Sequence, residues 1–393
     1  MFHSFAGEFE KYKGTRFINL NNGTLGLCPS SVIDHQKAEL ERFEMNTSLS
    51  LGDSWARLWA VQEHLGAFLN ADASDVFLRP NVTLALNEII MGLRLPVESE
   101  ILTTTFEYGA VVNILKYKAQ QDDLSLRFIQ PDELYQDIST AEVVRALTNN
   151  FTDKTKVFAI SHIFTGNGIE VPLKELAIEC RKKGVLLVVD GAHAPGILNL
   201  DFKSDLQDVD YYAGNLHKWF MGPKGTAFGW VNPIHQDKTY PLYGSWTTEF
   251  NTPLVMQKYT QNPFAERMLW SHSQSFSSYY GLEACFNFWQ KHGKENIFSQ
   301  ISLRMKYLED GLRAKGLKPL KSTSSEVPAR LLCYKISDFK SIEFEGLMVK
   351  GSNPLLQVGL PKVPGFPVIR LTPHIHNTQQ ELDSAIQTLT KSI

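Results

Sequence analysis

The amino-acid sequence predicts an α/β protein in which a mostly parallel sheet, with helices on both faces, precedes a smaller α+β domain. Short β-rich runs alternate with helical patterns through the middle of the chain, and this alternation ends near residue 285. Hydrophobic residues make up 43% of the 393 residues, which is enough for a sizeable core. We expect a large domain over residues 16–284 and a small C-terminal domain over residues 285–393, with segment 1–15 packing nearby.

The predicted sheet is built from β-rich runs that occur one after another along the chain. They are Ile101–Thr105, Leu126–Ile129, Val157–Ser161, Val185–Asp190, Asp210–Ala213 and Thr226–Val231. Helical patterns lie between them at Gly109–Gln121 and at Leu173–Lys183, where Gly184 predicts the end of the helix. Parallel strands joined in this way bring their carboxyl ends to one edge of the sheet, where ligands bind.

The predicted small domain has a different pattern. A long polar helix is expected over Ile297–Lys315, a strand over Ala329–Ile336 and a Gly/Pro-rich loop from Gly351 to Pro367. A final helix is indicated by apolar residues at helical spacing, and Thr378 with Glu381 forms a capping box at its start.

Charge and cysteine content exclude several classes of function. Lys and Arg number 39 against 42 for Asp and Glu, so the net charge of −3 favours neither nucleic acid nor an acidic membrane surface as a partner. The four cysteines form no CxxC pair, and His374 with His376 lacks a third nearby ligand, so we expect no metal site. The N-terminus has no apolar core of signal-peptide length and no apolar run reaches about 18 residues. These features predict a soluble, cytoplasmic protein.

An acidic residue and a lysine follow two of the predicted strands. The run Val185–Asp190 ends in Asp190, and the next predicted strand leads to His217 and Lys218 in a Gly/Pro-rich segment. Strands that are adjacent in the sheet would make Asp190 and Lys218 neighbours. A carboxylate facing an amine suits a pyridine ring, because the carboxylate keeps the ring nitrogen protonated while the amine forms a Schiff base with an aldehyde.

The sequences around these two residues are DGAHAPG, at 190–196, and GNLHKWFMGPKG, at 214–225. They resemble the motifs of the pyridoxal 5′-phosphate (PLP) enzymes of aminotransferase class V, in particular the isopenicillin N epimerase-like branch. The similarity extends from NNGTLG, at 21–26, to RLTPHIHNT, at 370–378. It implies the fold of the type I PLP-dependent transferases and PLP as the cofactor.

The resemblance also implies the roles of individual residues. Lys218 forms the Schiff base, Asp190 pairs with the pyridinium nitrogen, and His193 reaches the ring hydroxyl. The other implied cofactor ligands are Thr165 near that hydroxyl, Tyr108 stacked on the ring, and Asn81, Val82, Thr83, Asn215 and His217 at the phosphate. Arg370, assisted by Asn22, binds the substrate carboxylate, a task that suits a planar bidentate donor.

The family further implies a homodimer in which each chain completes the phosphate site of its partner. The matching stretch follows Trp270 and has His272 where the family has glycine, whereas Ser273 keeps a hydroxyl in the position of the family threonine. We therefore expect Ser273 to reach the partner's cofactor.

Epimerisation or racemisation of an amino acid is the activity that the branch implies, with Lys218 removing the α-proton and Tyr108 on the face where a second base would lie. Elimination at a C–S bond and transamination need the same residues and stay open. The loop 351–369 contains no cysteine, which disfavours desulfuration through a persulfide. No GxGxxG motif follows a strand, which disfavours a dinucleotide-dependent oxidoreductase. A catalytically retired PLP-binding protein is the non-enzymatic alternative, and the retention of Lys218, Asp190 and Arg370 argues against it.

Overall fold

The structure is a computed structural model that describes residues 2–12, 17–245, 248, 260–269, 274–339 and 342–391. Its strands, in chain order, are β1 (Phe17–Asn19), β2 (Val76–Arg79), β3 (Glu100–Thr104), β4 (Ser125–Ile129), β5 (Thr155–Ser161), β6 (Leu186–Asp190), β7 (Tyr211–Asn215), β8 (Ala227–Val231), β9 (Leu332–Lys335), β10 (Phe344–Glu345), β11 (Met348–Val349), β12 (Leu355–Gln357) and β13 (Val368–Leu371). Its helices are α1 (Ser30–Met45), α2 (Thr47–Leu69), α3 (Val82–Gly92), α4 (Gly109–Gln121), α5 (Thr140–Thr148), α6 (Leu173–Lys182), α7 (Pro263–Leu269), α8 (Ser277–His292), α9 (Lys294–Arg313) and α10 (Gln379–Thr390).

The described residues include a seven-stranded sheet with the order β2-β8-β7-β6-β5-β3-β4. Strand β8 is antiparallel to both of its neighbours, and the remaining strands run parallel to one another. The predicted mostly parallel sheet is therefore confirmed. Strands β5, β6 and β7 lie side by side, so Ser161, Asp190 and Asn215 all end at the same edge.

Burial alternates along β6 in the way that a sheet covered on both faces requires. Leu187 and Val189 belong to one hydrophobic cluster, which includes Leu176 of α6. Val188 belongs to a second cluster on the other face, which includes Ile89 of α3 and other residues of α3 and α4. Helices on both faces thus bury the sheet and leave its carboxyl edge as the open side.

The C-terminal part of the chain contains a second β-structure. Strands β9 and β13 pair antiparallel, and β1 near the N-terminus joins β12, β11 and β10 in a separate sheet. The expectation of a continuous loop over Gly351–Pro367 was wrong, because β12 lies within it and pairs in parallel with β1. A partner so far away in the sequence leaves no local signal in this stretch.

The structure agrees with the predicted start of one helix and the predicted end of another. Thr378 and Glu381 form the expected capping box at the start of α10. Gly184 adopts a φ of +66° after α6, a left-handed conformation that favours glycine. Residues 284 and 285, at the predicted domain boundary, lie within α8.

The N-terminal segment packs against the end of α8 and against α9. Glu8 pairs with Lys291 and His292, at distances of 2.6 and 3.0 Å. The backbone N–H of His3 donates to Gln300 in α9 at 2.8 Å. This segment therefore anchors the beginning of the chain on helices of the C-terminal part.

Candidate active site

A cavity of about 240 Å³ opens at the carboxyl edge of the central sheet. Its position follows from the parallel strands, because Ser161, Asp190 and Asn215 are the last residues of β5, β6 and β7. The lining residues are Gly23, Thr24, Asn81, Val82, Thr83, Tyr108, Val111, Ser161, Ile163, Thr165, Asp190, Ala192, His193, Asn215, His217, Lys218 and Arg370. The structure thus brings together every candidate site residue named from the sequence except Asn22 and Ser273, and Ser273 lies outside the described residues.

Asp190 is held at the end of β6 by a tight turn. Its Oδ1 accepts a hydrogen bond from the backbone N–H of Ala192 at 2.9 Å. A side chain at Gly191 would meet the ring of Tyr212 at 2.1 Å, so only glycine fits this turn. Burial raises the pKa of Asp190, while the nearby Lys218 lowers it. The carboxylate is therefore presented to the cavity with a cation close by.

Lys218 lies in the segment after β7, and that segment is fixed from two sides. The N–H of Gly26 donates to His217 O at 3.0 Å, and His374 Nε2 bonds to Trp219 O at 3.0 Å. Burial and the repulsion of Arg370 lower the pKa of Lys218 to about 8, against the attraction of Asp190. Within the described chain, no residue forms a hydrogen bond with its amine. An uncharged amine is therefore accessible near neutral pH, as a nucleophile or a base requires.

The start of α3 points toward one end of the cavity. The Asn81 side chain caps the helix by accepting the N–H of Leu84 at 2.9 Å, and the N–H of Val82 donates to Asn215 at 3.1 Å. His217 donates its Nδ1–H to Thr226 O at 2.9 Å. Burial lowers the pKa of His217 to about 4. A helix N-terminus beside a histidine and an asparagine is an arrangement that holds a phosphate.

At the opposite end of the site, Arg370 projects from β13. Its Nη1 donates to Thr165 Oγ1 at 2.7 Å, and its Nη2 donates to Thr24 Oγ1 at 2.9 Å. Thr165 Oγ1 also bonds to His193 Nε2 at 3.1 Å. His193 Nδ1 and Arg370 Nε are buried without a partner among the described residues. Two such unsatisfied groups at one cavity are available to hydrogen-bond a ligand.

Asn22 does not line the cavity. Its Nδ2 donates to Thr372 O at 2.9 Å, and its Oδ1 bonds to His376 Nε2 at 3.0 Å. The neighbouring Thr24 contacts Arg370 instead, and sequence reasoning missed it although it belongs to the same loop. Ser161 was also missed as a site residue, although it ends a predicted strand at the ligand-binding edge.

Tyr108 lies at the N-terminal end of α4 and lines the cavity. Tyr108 is 55% exposed, so it lies at the mouth of the cavity. An aromatic ring at the mouth of a cavity can cover a planar ligand and still present its hydroxyl group to it.

The two histidines considered as metal ligands have protein partners. His374 bonds to Trp219 O and His376 to Asn22, and their rings stack with centroids 6.1 Å apart. Across the described ranges, no group of three or more His, Cys, Asp and Glu residues is arranged to hold a metal ion. A search of the same ranges finds no helix that is both long and apolar enough to cross a membrane.

The residues of the cavity fit PLP. Asp190 offers an acceptor for a pyridinium nitrogen, Lys218 offers an amine, and the start of α3 offers a phosphate site. The unpartnered Nδ1 of His193 and Nε of Arg370 lie in the same site, where a ring hydroxyl and a carboxylate would satisfy them. The fold and the cavity together define a PLP-dependent enzyme.

Residues 18–346 match the family model of aminotransferase class V, so the chain belongs to this family of PLP-dependent enzymes. It is 27% identical to isopenicillin N epimerase of Streptomyces clavuligerus over 93% of this chain and 92% of that protein. It is 30% identical to putative L-cysteine desulfhydrase 2 of Oryza sativa subsp. japonica over 61% of this chain and 51% of that protein. Among solved structures, a mutant of the cystine C–S lyase C-DES with glycine covalently linked to its PLP cofactor has a TM-score of 0.82 at 21% identity, covering 98% of both chains.

Proposed function

We propose that the protein epimerises or racemises an amino acid at its α-carbon. The observation that carries this proposal is that two groups able to move a proton, the Lys218 amine and the Tyr108 phenol, line one cavity. Inversion of a carbon centre requires a proton to leave one face and another to arrive at the opposite face. Elimination and transamination need only one such group. The 27% identity to an isopenicillin N epimerase, over nearly the whole chain, supports the same activity.

In this proposal the cofactor is held by Lys218, by Asp190 and by the residues at the start of α3. Asp190 binds the ring nitrogen, His193 and Thr165 bind the ring hydroxyl, and the start of α3 binds the phosphate with Asn215 and His217. When bound, PLP supplies an aldehyde that condenses with amines and a ring that withdraws electrons from the α-carbon. Asp190 sustains that withdrawal because its negative charge keeps the ring nitrogen protonated.

Arg370 orients the substrate. Thr24 and Thr165 fix its guanidinium, and its unpartnered Nε remains to bind a substrate carboxylate. Lys218, with a pKa lowered to about 8, then accepts the α-proton near neutral pH. Tyr108 donates a proton to the other face. Because Tyr108 is the exposed member of the pair, its proton can be replaced from water.

The proposed enzyme is a homodimer in which Ser273 completes the phosphate site of the other chain. Analytical ultracentrifugation should show a dimer. Mixing Ser273→Ala chains with Lys218→Ala chains should yield hybrid dimers with one unmutated site and partial activity, whereas each variant alone should be impaired. A fully active monomer would contradict this arrangement, as would a Ser273→Ala protein that holds PLP as tightly as the wild type.

Incubation with single amino acids in D₂O tests the activity itself. An epimerase should incorporate deuterium at the α-carbon of both product enantiomers and should produce neither pyruvate nor an oxo acid. Tyr108→Phe should retain exchange in one enantiomer and lose inversion, because Lys218 remains in place. Pyruvate with released sulfide would show that the protein catalyses elimination. A stoichiometric amount of oxo acid would show that it catalyses transamination.

Elimination at a C–S bond is the second candidate, because the rice relative is named a cysteine desulfhydrase. Lys218 alone can supply the base for that reaction. The chemistry of the site disfavours desulfuration through a protein persulfide. Cys333, which pairs with Arg370 across β9 and β13, is buried, and burial raises its pKa to about 12. Release of pyruvate from cysteine by the wild type would establish this candidate.

A further inference from the structure

Behind the cavity lies a buried carboxyl group that the mechanism above does not use. Glu107 is only 8% exposed and precedes Tyr108 in the loop between β3 and α4. Thr104 Oγ1 donates to its Oε1 at 2.8 Å, and Ser161 Oγ donates to its Oε2 at 2.5 Å. No cation of the described chain forms an ion pair with it. Its surroundings are therefore two neutral hydroxyl groups, which stabilise an ionised carboxyl less than a guanidinium would.

The two hydroxyl groups hold Glu107 at the ends of β3 and β5, and β5 is the neighbour of the strand that carries Asp190. Ser161 is paired with Asp190 across β5 and β6, and it lines the cavity itself. Thr104 ends β3, the neighbour of β5 on the other side. Glu107 is therefore bonded to two adjacent strand ends, and its partner Ser161 is the residue paired with Asp190 on the next strand. Two buried carboxyl groups placed so close interact, and the charge of one opposes the ionisation of the other.

We propose that Glu107 is a positioning residue that acts through Asp190. It would remain protonated so that Asp190 is the single negative charge at the site of the ring nitrogen, and it would add a second charge when it ionises. Asp190 is the charged group that faces Glu107 from β6, while β3 and β5 contribute the neutral Thr104 and Ser161. Burial and the charge of Asp190 together raise the pKa of Glu107 to about 7, against the lowering effect of the hydrogen bonds from Ser161 and Thr104. The change of charge consequently falls near neutral pH. This inference rests on PLP as cofactor and not on the reaction that is catalysed.

Ionised Glu107 should raise the proton affinity of the groups near Asp190. A second negative charge next to Asp190 would favour the protonated forms of the ring nitrogen and of the Schiff-base nitrogen at Lys218. Glu107→Gln keeps the shape and the hydrogen-bonding capacity of the side chain but removes this charge at every pH.

The matched control is Glu309→Gln in α9. Glu309 is also a buried carboxyl that accepts hydrogen bonds from two hydroxyl groups, those of Ser322 and Thr323. It differs in having the cation Arg313 beside it at 2.7 Å, and its pKa is lowered, with hydrogen bonds from Thr323, Ser322 and Arg313 outweighing burial. Loss of a buried carboxyl as such is therefore common to both variants, whereas proximity to Asp190 is not.

The decisive measurement is the visible absorbance of the PLP-loaded enzyme as a function of pH, without substrate. In Glu107→Gln, the inflection of the cofactor band should move to lower pH by about half a unit or more, a roughly threefold loss of proton affinity. Ser161→Ala should move it in the same direction by less, because the carboxyl that loses this hydrogen bond stays protonated to higher pH. Glu309→Gln should leave it in place. An unmoved inflection in both Glu107→Gln and Ser161→Ala would overturn the proposal.

Thermal unfolding of the PLP-free protein gives a second readout. A carboxyl whose pKa is raised from 4.5 to about 7 on folding contributes stability that is present below pH 4.5 and is lost as the pH rises to 7. Wild-type protein should therefore lose melting temperature over this window more steeply than Glu107→Gln, and Glu309→Gln should keep the wild-type slope. Equal slopes in wild type and Glu107→Gln would also overturn the proposal. If Glu107→Gln fails to fold, Ser161→Ala decides by its absorbance shift alone.

Discussion

Two of the cavities on the described surface of the molecule differ in size and in the state of their charges. The larger, about 520 Å³, lies between α6 and the residues that precede β9, and charged side chains line it. Both cations of its lining are paired. Lys174 contacts Asp205 at 2.8 Å and Arg330 contacts Glu170 at 2.5 Å. The positive charges of this cavity are therefore already neutralised within the protein.

The smaller cavity, about 240 Å³, has the opposite character. Lys218 has no hydrogen-bond partner in the described chain, and His193 Nδ1 and Arg370 Nε are buried without one. Burial displaces the pKa values of Lys218, His193 and Asp190 away from their ordinary ranges. The comparison teaches that convergent unsatisfied groups, and not volume, identify the reactive site.

Replacing one lysine in each cavity should give the largest difference in activity between the two cavities. Lys218→Ala should lower activity by at least about 10³-fold, because the residue is proposed to supply both the nucleophile and the base. The protein should still fold, since a buried amine without a partner adds no stability. Turnover and the borohydride-reducible bond to PLP, located by mass spectrometry, are the measurements.

Lys174→Ala in the larger cavity is the matched control. It removes an exposed amine that pairs with Asp205, and activity and cofactor attachment should stay at wild-type levels. If borohydride still fixed PLP covalently to Lys218→Ala, or no longer fixed it to Lys174→Ala, the smaller cavity would not be the reactive site.

The carboxylates should show the next largest difference. Asp190→Asn should bind PLP yet lose about 10²–10⁴-fold in kcat, because an amide cannot keep the ring nitrogen protonated. Asp205→Asn, which breaks the pair with Lys174, should change kcat by less than about twofold. Near-normal turnover by Asp190→Asn would reduce Asp190 to a turn residue that accepts the N–H of Ala192.

The strand ends could be predicted because local chemistry marks them. β6 is an apolar run that stops at Asp190, and a Gly/Pro-rich segment follows β7 to Lys218, so both residues had to lie at the ligand-binding edge. The pairing of β1 with β12 could not be predicted, since two three-residue strands far apart in the chain carry no pattern of their own.

Side-chain partners were predictable only where the resemblance named them. Asn22 and Thr24 are equally polar members of one loop, and which of them reaches Arg370 depends on how that loop folds against β13. The same limit applies to Glu107, whose hydroxyl partners come from two different strands. Contacts of this kind are properties of the folded arrangement.

Replacement of the arginines tests the substrate end. Arg370→Lys should lower kcat/KM for amino acids by about 10–100-fold, because an ammonium group cannot form two parallel hydrogen bonds with a carboxylate. Most of this decrease in kcat/KM should come from a higher KM. Arg330→Lys in the larger cavity should leave kcat/KM unchanged. If the wild type turned over amines that lack a carboxylate as well as it turns over amino acids, this role of Arg370 would be contradicted.

A smaller effect is expected in the pH dependence of PLP attachment to Lys218 in the smaller cavity. Because the pKa of Lys218 is lowered to about 8, the uncharged fraction of its amine increases about tenfold per pH unit below 8 and levels off above it. The rate of cofactor attachment to the PLP-free protein should follow this curve. Arg370→Met should shift it to higher pH, since the guanidinium is a cause of the lowered pKa. A rate that is constant from pH 6 to 9 would be incompatible with a buried attacking amine.

The smallest effect is expected from the ion pair that crosses the larger cavity. Arg330 and Glu170 are partly exposed, at 35% and 23%, so water screens their attraction and Arg330→Met should cost about 0.2–1 kcal/mol of unfolding free energy. The backbone bonds beside the pair, from Glu170 N to Pro328 O and from Arg330 N to Gly168 O, remain in this variant and keep the two segments together. Urea unfolding measures the loss, and the cofactor absorbance should match the wild type. A loss above about 3 kcal/mol would show instead that the pair behaves as a buried one, because only a charge stranded away from water carries such a penalty.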